Sequence, residues 1–136
     1  NNIGMEKTSE LQEKDFEGLC FVNLVDFDSV YGHRNDIEGY ASAMSAFDRK
    51  LEIFLENMRA DDVLMITADH GCDPETPSTD HSREYTPMLI VGVGIKSGVD
   101  LGTRSTFADI AATVLDCFGI PSDHIAGSSF LPEVSK

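Results

Sequence analysis

Val63-Leu64-Met65-Ile66-Thr67-Ala68-Asp69-His70-Gly71 is the stretch on which the fold turns. Its first six residues are almost all apolar, with β-branched members, and too few for a buried helix. Such a run fits a strand covered on both faces. It runs straight into an acid, an imidazole and a glycine. Upstream, Ile37, Tyr40, Ala41, Met44, Phe47, Leu51, Phe54, Leu55 and Met58 recur at steps of three and four. That spacing puts them on one stripe of an α-helix. Asp36 stands where a helix cap belongs, and the helix should end near Arg59. Further upstream, Leu19 to Val25 is a second apolar run, and it ends in Asp26-Phe27-Asp28 and then Gly32. Strand, helix and strand in succession predict a right-handed parallel βαβ unit.

Downstream, a polar loop over 70–85 carries Pro74 and Pro77. A third strand is expected over Met88 to Val93. A second helix follows from the rhythm of Phe107, Ile110, Ala111, Val114, Leu115 and Phe118. Thr106 can cap it, with Asp109 three residues on as a variant of the capping box, and Gly119 and Pro121 stop it. Met5 to Lys14 reads as a short polar helix. Met44, Phe47 and Phe54 are assigned to the core. The sum is an α/β layered domain with a mostly parallel sheet.

The chain has 136 residues, about one domain's worth. Its 10 basic and 24 acidic residues leave a net charge of −14. That balance argues against a basic face for nucleic acid or for an anionic membrane. The apolar fraction of 41% is too high for a disordered acidic tail. No apolar run is long enough to span a bilayer as a helix. The opening residues to Glu13 lack the apolar segment of a signal peptide. They also lack an initiator Met, which suggests a fragment. Cys20, Cys72 and Cys117 form no C-x-x-C pair, so a reducing compartment, the cytoplasm, is expected.

The chemistry gathers where the predicted strands end. In open α/β sheets, ligands bind outside the carboxyl ends of the strands. The first strand leads to Asp28 and His33, five apart across a turn at Gly32. The second leads to Asp69 and His70, and the long loop adds Asp80-His81. Carboxylate oxygen with neutral imidazole nitrogen suits Zn²⁺ or Mn²⁺. Three histidines with two or more aspartates suffice for one complete site or two shared ones. Two such ions can clamp the attacking and leaving oxygens in phosphoryl transfer. Any one of these pairs taken singly reads more readily as polar turn residues; the three clusters together favour a metal site. Arg34 and Arg83 stand beside these histidines, where a guanidinium binds phosphate bidentately or pairs with Asp36 or Glu84. His124 reads as surface.

Three stretches resemble a known family. Asp26-Phe27-Asp28-Ser29-Val30-Tyr31-Gly32-His33-Arg34-Asn35-Asp36 is similar to a motif of the bacterial phosphopentomutases. Thr67-Ala68-Asp69-His70-Gly71 resembles the alkaline phosphatase superfamily signature. Thr79-Asp80-His81-Ser82-Arg83-Glu84-Tyr85-Thr86-Pro87 resembles the third phosphopentomutase motif, and Ser105 to Ile110 is similar to the family as well. Order and spacing also match.

The resemblance implies an alkaline phosphatase-like three-layer α/β/α core, here in part. It implies interconversion of ribose or 2-deoxyribose 1-phosphate with the 5-phosphate, through two Mn²⁺ ions and a phosphorylated Thr. By motif match, Asp28, His33 and His81 would hold one ion, and Asp69 and His70 would help hold the other. Asp26 rivals Asp28, since residues two apart share one face of a strand. Asp28 is preferred because it leads directly into the turn towards His33. The nucleophilic Thr, a further Asp ligand and a substrate-binding cap domain find no match here. Residues 1–136 therefore resemble the C-terminal portion of the metal-binding core. The substrate would be a small sugar phosphate, and the other partner the rest of its own core and cap. Lys7 and Thr8 either touch the cap hinge or simply open a helix. Cys72 stands where the family usually has Asn, either as a tolerated small neighbour or as a thiol exposed to metal and oxidant. The rival family, cofactor-independent phosphoglycerate mutase, tends to space Asp and His by four with Gly-His-Thr-Gly. Here the spacing is five, with Gly-His-Arg-Asn-Asp. A metal-binding fragment without turnover is the remaining alternative.

Overall fold

The computed structural model, which describes residues 1–136, turns the three-and-four spacing into a long helix, α2 (Ile37–Glu56). Asp36 caps it: its carboxylate accepts the Gly39 N–H at 2.9 Å. That satisfies one of the donors every helix start leaves open. The polar helix expected from Met5 is α1 (Asn2–Gln12), three residues earlier at its start. It carries a Lys7–Glu10 ion pair at 2.8 Å. Its Met5 is buried, and Gln12 Nε2 donates to the Phe54 carbonyl at 3.0 Å.

The central apolar run forms β1 (Val63–Thr67), and the later one forms β2 (Met88–Gly92), each one residue shorter than expected. They pair in a two-stranded sheet. Gly92, at the end of β2, lies against Asp62 and Val63 at the start of β1, so the strands run antiparallel. A Cβ on Gly92 would stand 2.7 Å from the Asp62 carbonyl oxygen, which explains the glycine.

The chain divides into two compact units. The first comprises Asn1–Arg59 and Ile66–Leu89; the second comprises Ala60–Met65 and Ile90–Lys136. In the second, α3 (Ala108–Cys117) and α4 (Leu131–Val134) enclose a small core. Ala112 and Phe130 are fully buried there, with Val134 and Ile95 nearly so. Thr113 is buried too, and its hydroxyl donates to the Asp109 carbonyl at 2.7 Å and accepts the Phe130 N–H at 3.0 Å. Lys96 N–H donates to the Val134 carbonyl at 2.7 Å and ties the last turn to the segment after β2. The cap position of α3 is Phe107, whose side chain makes no cap bond; Thr106, one residue earlier, accepts the Ala108 N–H at 3.2 Å on its Oγ1. Asp109 does not complete the box. Its carboxylate is drawn instead to the Arg104 guanidinium and the Ser128 N–H, at 2.7 and 2.9 Å. A charged donor outcompetes a helix-start amide.

Two expectations are corrected. Leu19 to Val25 forms no strand here, and its side chains are mostly open, Phe21 most of all at 84%, with Leu24 half-buried. A strand exists only with a hydrogen-bonded neighbour, and within these residues none pairs with it. The parallel βαβ unit is accordingly not formed among them. No residue of α2 is buried: Met44 is 47% exposed, and Phe47 and Phe54 are half-buried, so none of the three is core within these residues. The aromatic part of the α2 stripe is met by Phe27, whose ring lies 5.7 Å from Tyr40 and 6.2 Å from Phe47; Met44 gains no such cover.

Candidate metal centre

Asp28 lies in a short π-turn, Phe27–Tyr31, which passes directly into a 3-10 turn, Gly32–Arg34. This tight winding turns the five-residue spacing into a face-to-face pair, with His33 Nε2 3.4 Å from Asp28 Oδ2. His70 follows β1, and His81 lies in the loop that returns to β2. Gly71 brings the two together. Its carbonyl accepts the Ser82 N–H at 3.2 Å. A Cβ there would stand 2.6 to 2.8 Å from backbone atoms of Ser82 and Glu84. Only glycine allows that approach. The His70 and His81 rings consequently stack, with centroids 3.7 Å apart. Their Nε2 atoms lie 3.9 and 3.5 Å from Asp28 Oδ1.

Donor atoms of Asp28, His33 and His81 all fall within 4.8 Å of one another. Asp28 Oδ1 is buried and accepts no hydrogen bond. A buried carboxylate oxygen without a donor is costly. Bonds of about 2.0–2.2 Å to one ion would place its ligands roughly 3–4 Å apart, close to the separations seen. Two of the rings are also oriented from behind. His33 Nδ1 meets the Thr79 carbonyl, and His70 Nδ1 meets the Gly71 carbonyl at 3.0 Å. A carbonyl only accepts, so each ring presents an Nδ1–H to it and aims Nε2 inward, where a neutral ring would offer its lone pair to an ion. The donor set therefore fits a divalent cation.

The remaining candidates are placed differently. Asp69 points outward, its side chain 83% exposed, with Oδ1 3.5 Å from His70 Nε2. It stands outside the Asp28–His33–His81 cluster, and His70 lies at its margin. Asp26, the rival to Asp28, stands outside that cluster, and its N–H donates to Asn1 Oδ1 at 2.9 Å. Arg34 donates to the Ser29 and Val30 carbonyls and so closes the π-turn instead of pairing with Asp36. Arg83 is exposed, and so is His124. The Cys72 sulfur packs on Gly32, 2.5 Å from where a Cβ would be. Burial first, then the Asp28, Glu84 and Asp73 carboxylates, push its thiol up.

One further participant carries no mark in the spacing of acids and histidines. Asn35 adopts the left-handed conformation, φ 51°, and its amide reaches three carbonyls of the 74–78 loop. Asparagine's tolerance of that conformation was the available signal.

The family model described as the metalloenzyme superfamily matches residues 1–122. The chain belongs to the metalloenzyme superfamily. Its relatives include the phosphopentomutase of Lachnoclostridium phytofermentans, 62% identical over all 136 residues and 35% of that protein. That of Acetivibrio thermocellus is 58% identical over 98% of the chain and 34% of its own length. That of Carboxydothermus hydrogenoformans is 57% identical over the whole chain and 34% of its own length. The chain thus spans about a third of the length of these curated relatives. Membership in the metalloenzyme superfamily implies a divalent metal, and Asp28, His33 and His81 are the residues that fit one. No helix is long and apolar enough to cross a membrane.

Proposed function

We propose that this chain is the C-terminal portion of the metal-binding core of a phosphopentomutase. The enzyme interconverts ribose or 2-deoxyribose 1-phosphate with the 5-phosphate. The observation that carries the reading is the partnerless Asp28 Oδ1 facing His70 and His81, in a chain 62% identical to a protein of that name. Asp28, His33 and His81 would hold one Mn²⁺, and Asp69 and His70 would contribute to a second. When bound, such ions lower the nucleophile's pKa and neutralise charge on the transferring phosphoryl group. The chain's own part is positional. The Thr79 and Gly71 carbonyls hold the His33 and His70 rings with Nε2 inward. Asp28 supplies the negative charge that two neutral imidazoles lack. The nucleophilic Thr, a further Asp and the substrate-binding cap would come from the rest of the protein, acting in the cytoplasm.

The same reading accounts for the open apolar run. In a three-layer α/β/α core with a mostly parallel sheet, Leu19 to Val25 would be an interior strand, covered by strands from outside these residues. Its exposed Leu19 and Phe21 support that placement. The decisive experiment is turnover by the intact protein with Mn²⁺. Ribose 1-phosphate should be converted to the 5-phosphate, and His33→Ala or Asp69→Ala should abolish conversion with the fold retained. Wild-type activity in folded His33→Ala would sink the proposal. Activity on phosphoglycerates instead of pentose phosphates would favour the sister mutase.

A further inference from the structure

Asn35 belongs to no ligand set, yet it is the most heavily engaged side chain beside the centre. Its Nδ2 donates to the carbonyls of Pro74 at 3.2 Å, Thr76 at 2.7 Å and Ser78 at 3.1 Å. Two N–H bonds thus serve three acceptors. The backbone at Asn35 is left-handed and closes the Gly32–Arg34 turn, its N–H donating to the Gly32 carbonyl at 3.0 Å. One residue therefore ends the turn that carries His33 and grips the loop that carries His81.

That loop is wound on itself. Asp73 N–H donates to Ser82 Oγ at 2.7 Å, and Thr76 Oγ1 donates to the Asp73 carbonyl at 3.0 Å. Asp80 N–H donates to Ser78 Oγ at 3.0 Å, and His81 N–H donates to Asp80 Oδ1 at 2.8 Å. Its hydrogen bonds to the 32–35 turn are those of the Asn35 amide and the His33 Nδ1–Thr79 contact, beside the packing of Cys72 on Gly32 and of the His81 ring 5.0 Å from that of His33. The two hydrogen-bonded links are neighbours, because Ser78 and Thr79 are adjacent.

We infer that Asn35 is a positioning residue for the metal centre. Through the three loop carbonyls it sets the His33 tautomer and the pose of His81. The inference rests on the metal-site reading above and extends it to a residue that touches no ion.

Asn35→Gly separates the amide from the backbone, since glycine keeps the left-handed conformation without strain. Asn35→Asp is the second variant. It also tolerates that conformation but turns a carboxylate on three carbonyls, so it serves if the first does not fold. Two readouts are taken on the intact protein: Mn²⁺ titration followed by electron paramagnetic resonance, and imidazole ¹⁵N signals of the metal-free protein. Groups that orient metal ligands from behind typically contribute 10–100-fold in affinity. We expect Mn²⁺ binding to weaken by at least about tenfold, with unchanged circular dichroism. The His33 signals should lose the pattern of a proton fixed on Nδ1. Wild-type affinity together with an unaltered His33 pattern in the folded variant overturns the inference. If the parent protein binds no Mn²⁺, the metal reading fails, and the His33 signals alone decide the role of Asn35. His81→Ala, a direct ligand loss, should weaken binding while leaving the His33 pattern intact, so the two effects are told apart.

Discussion

Replacing Asp109 by asparagine should cost about 2 kcal/mol at neutral pH, and the cost should vanish in acid. Asp109 is only 4% exposed, and both carboxylate oxygens are engaged. Oδ1 accepts the Ser128 N–H at 2.9 Å, and Oδ2 accepts Arg104 Nε–H at 2.7 Å. These contacts, the Ser128 bond foremost and then the guanidinium, hold its carboxyl below the ordinary 3.8. In Asp109→Asn the amide oxygen can keep the Ser128 bond. The amide nitrogen then faces a guanidinium, donor against donor. The loss is one charge-assisted bond, about 1.5–3 kcal/mol when buried. Arg104 keeps Glu133 at 3.1 Å and is itself 25% exposed, so water relieves part of its loss and the lower half of that range applies.

The pH dependence follows from the lowered carboxyl. Wild type holds the full contribution above the unfolded value of 3.8 and loses it as pH falls through the lower folded value. Asparagine has no proton to take up, so the gap between the two proteins closes below pH 3.8. Urea unfolding followed by circular dichroism, at neutral pH and at about pH 2.5, measures both gaps. Equal stability at neutral pH would refute the hydrogen-bond argument. A gap as large in acid as at neutrality would refute the linkage.

Three further outcomes are expected. His33→Ala and His81→Ala should each weaken Mn²⁺ binding at least about tenfold with little change in circular dichroism, whereas Asp26→Ala should leave it within about twofold, because direct ligands dominate affinity; isothermal titration reads all three. Gly71→Ala forces a Cβ against three backbone atoms of Ser82 and Glu84, so it should destabilise by about 1–3 kcal/mol and also displace His81; thermal melting and the same titration test both parts. Gly32→Ala meets the Cys72 sulfur first and the Phe27 carbonyl second, so Cys72→Ala should recover at least about 0.5 kcal/mol of its cost in a double-mutant cycle; strict additivity would show that the sulfur is not the obstacle.

Much of this was legible from local pattern. The α2 stripe and its Asp36 cap depend on residues within one helical turn of each other, and they appear where spacing places them. β1 and β2 follow from apolar runs bounded by glycine and acid. Leu19 to Val25 has the same composition and forms no strand, because a strand depends on a neighbour that composition cannot supply. Asp109 reads as part of a cap, since its position three residues after Thr106 is a local fact. Its actual partner Ser128 lies nineteen residues on.

The candidate site divides the same way. Residue type and the five-residue step already paired Asp28 with His33, the acid–glycine ending of the central strand singled out His70, and the Asp80-His81 pair of the loop singled out His81. These are covalent neighbourhoods, and a sequence states them outright. The choice of inward against outward side chains was made only in three dimensions. Asp28 turns towards three imidazoles while Asp69 turns to solvent, and Arg34 closes its own turn. The Asn35 clip, spanning about forty residues of chain, exists only because the 74–78 carbonyls happen to converge there. Hydrogen bonds of that reach are set by where the backbone has already been packed, and no spacing rule encodes them.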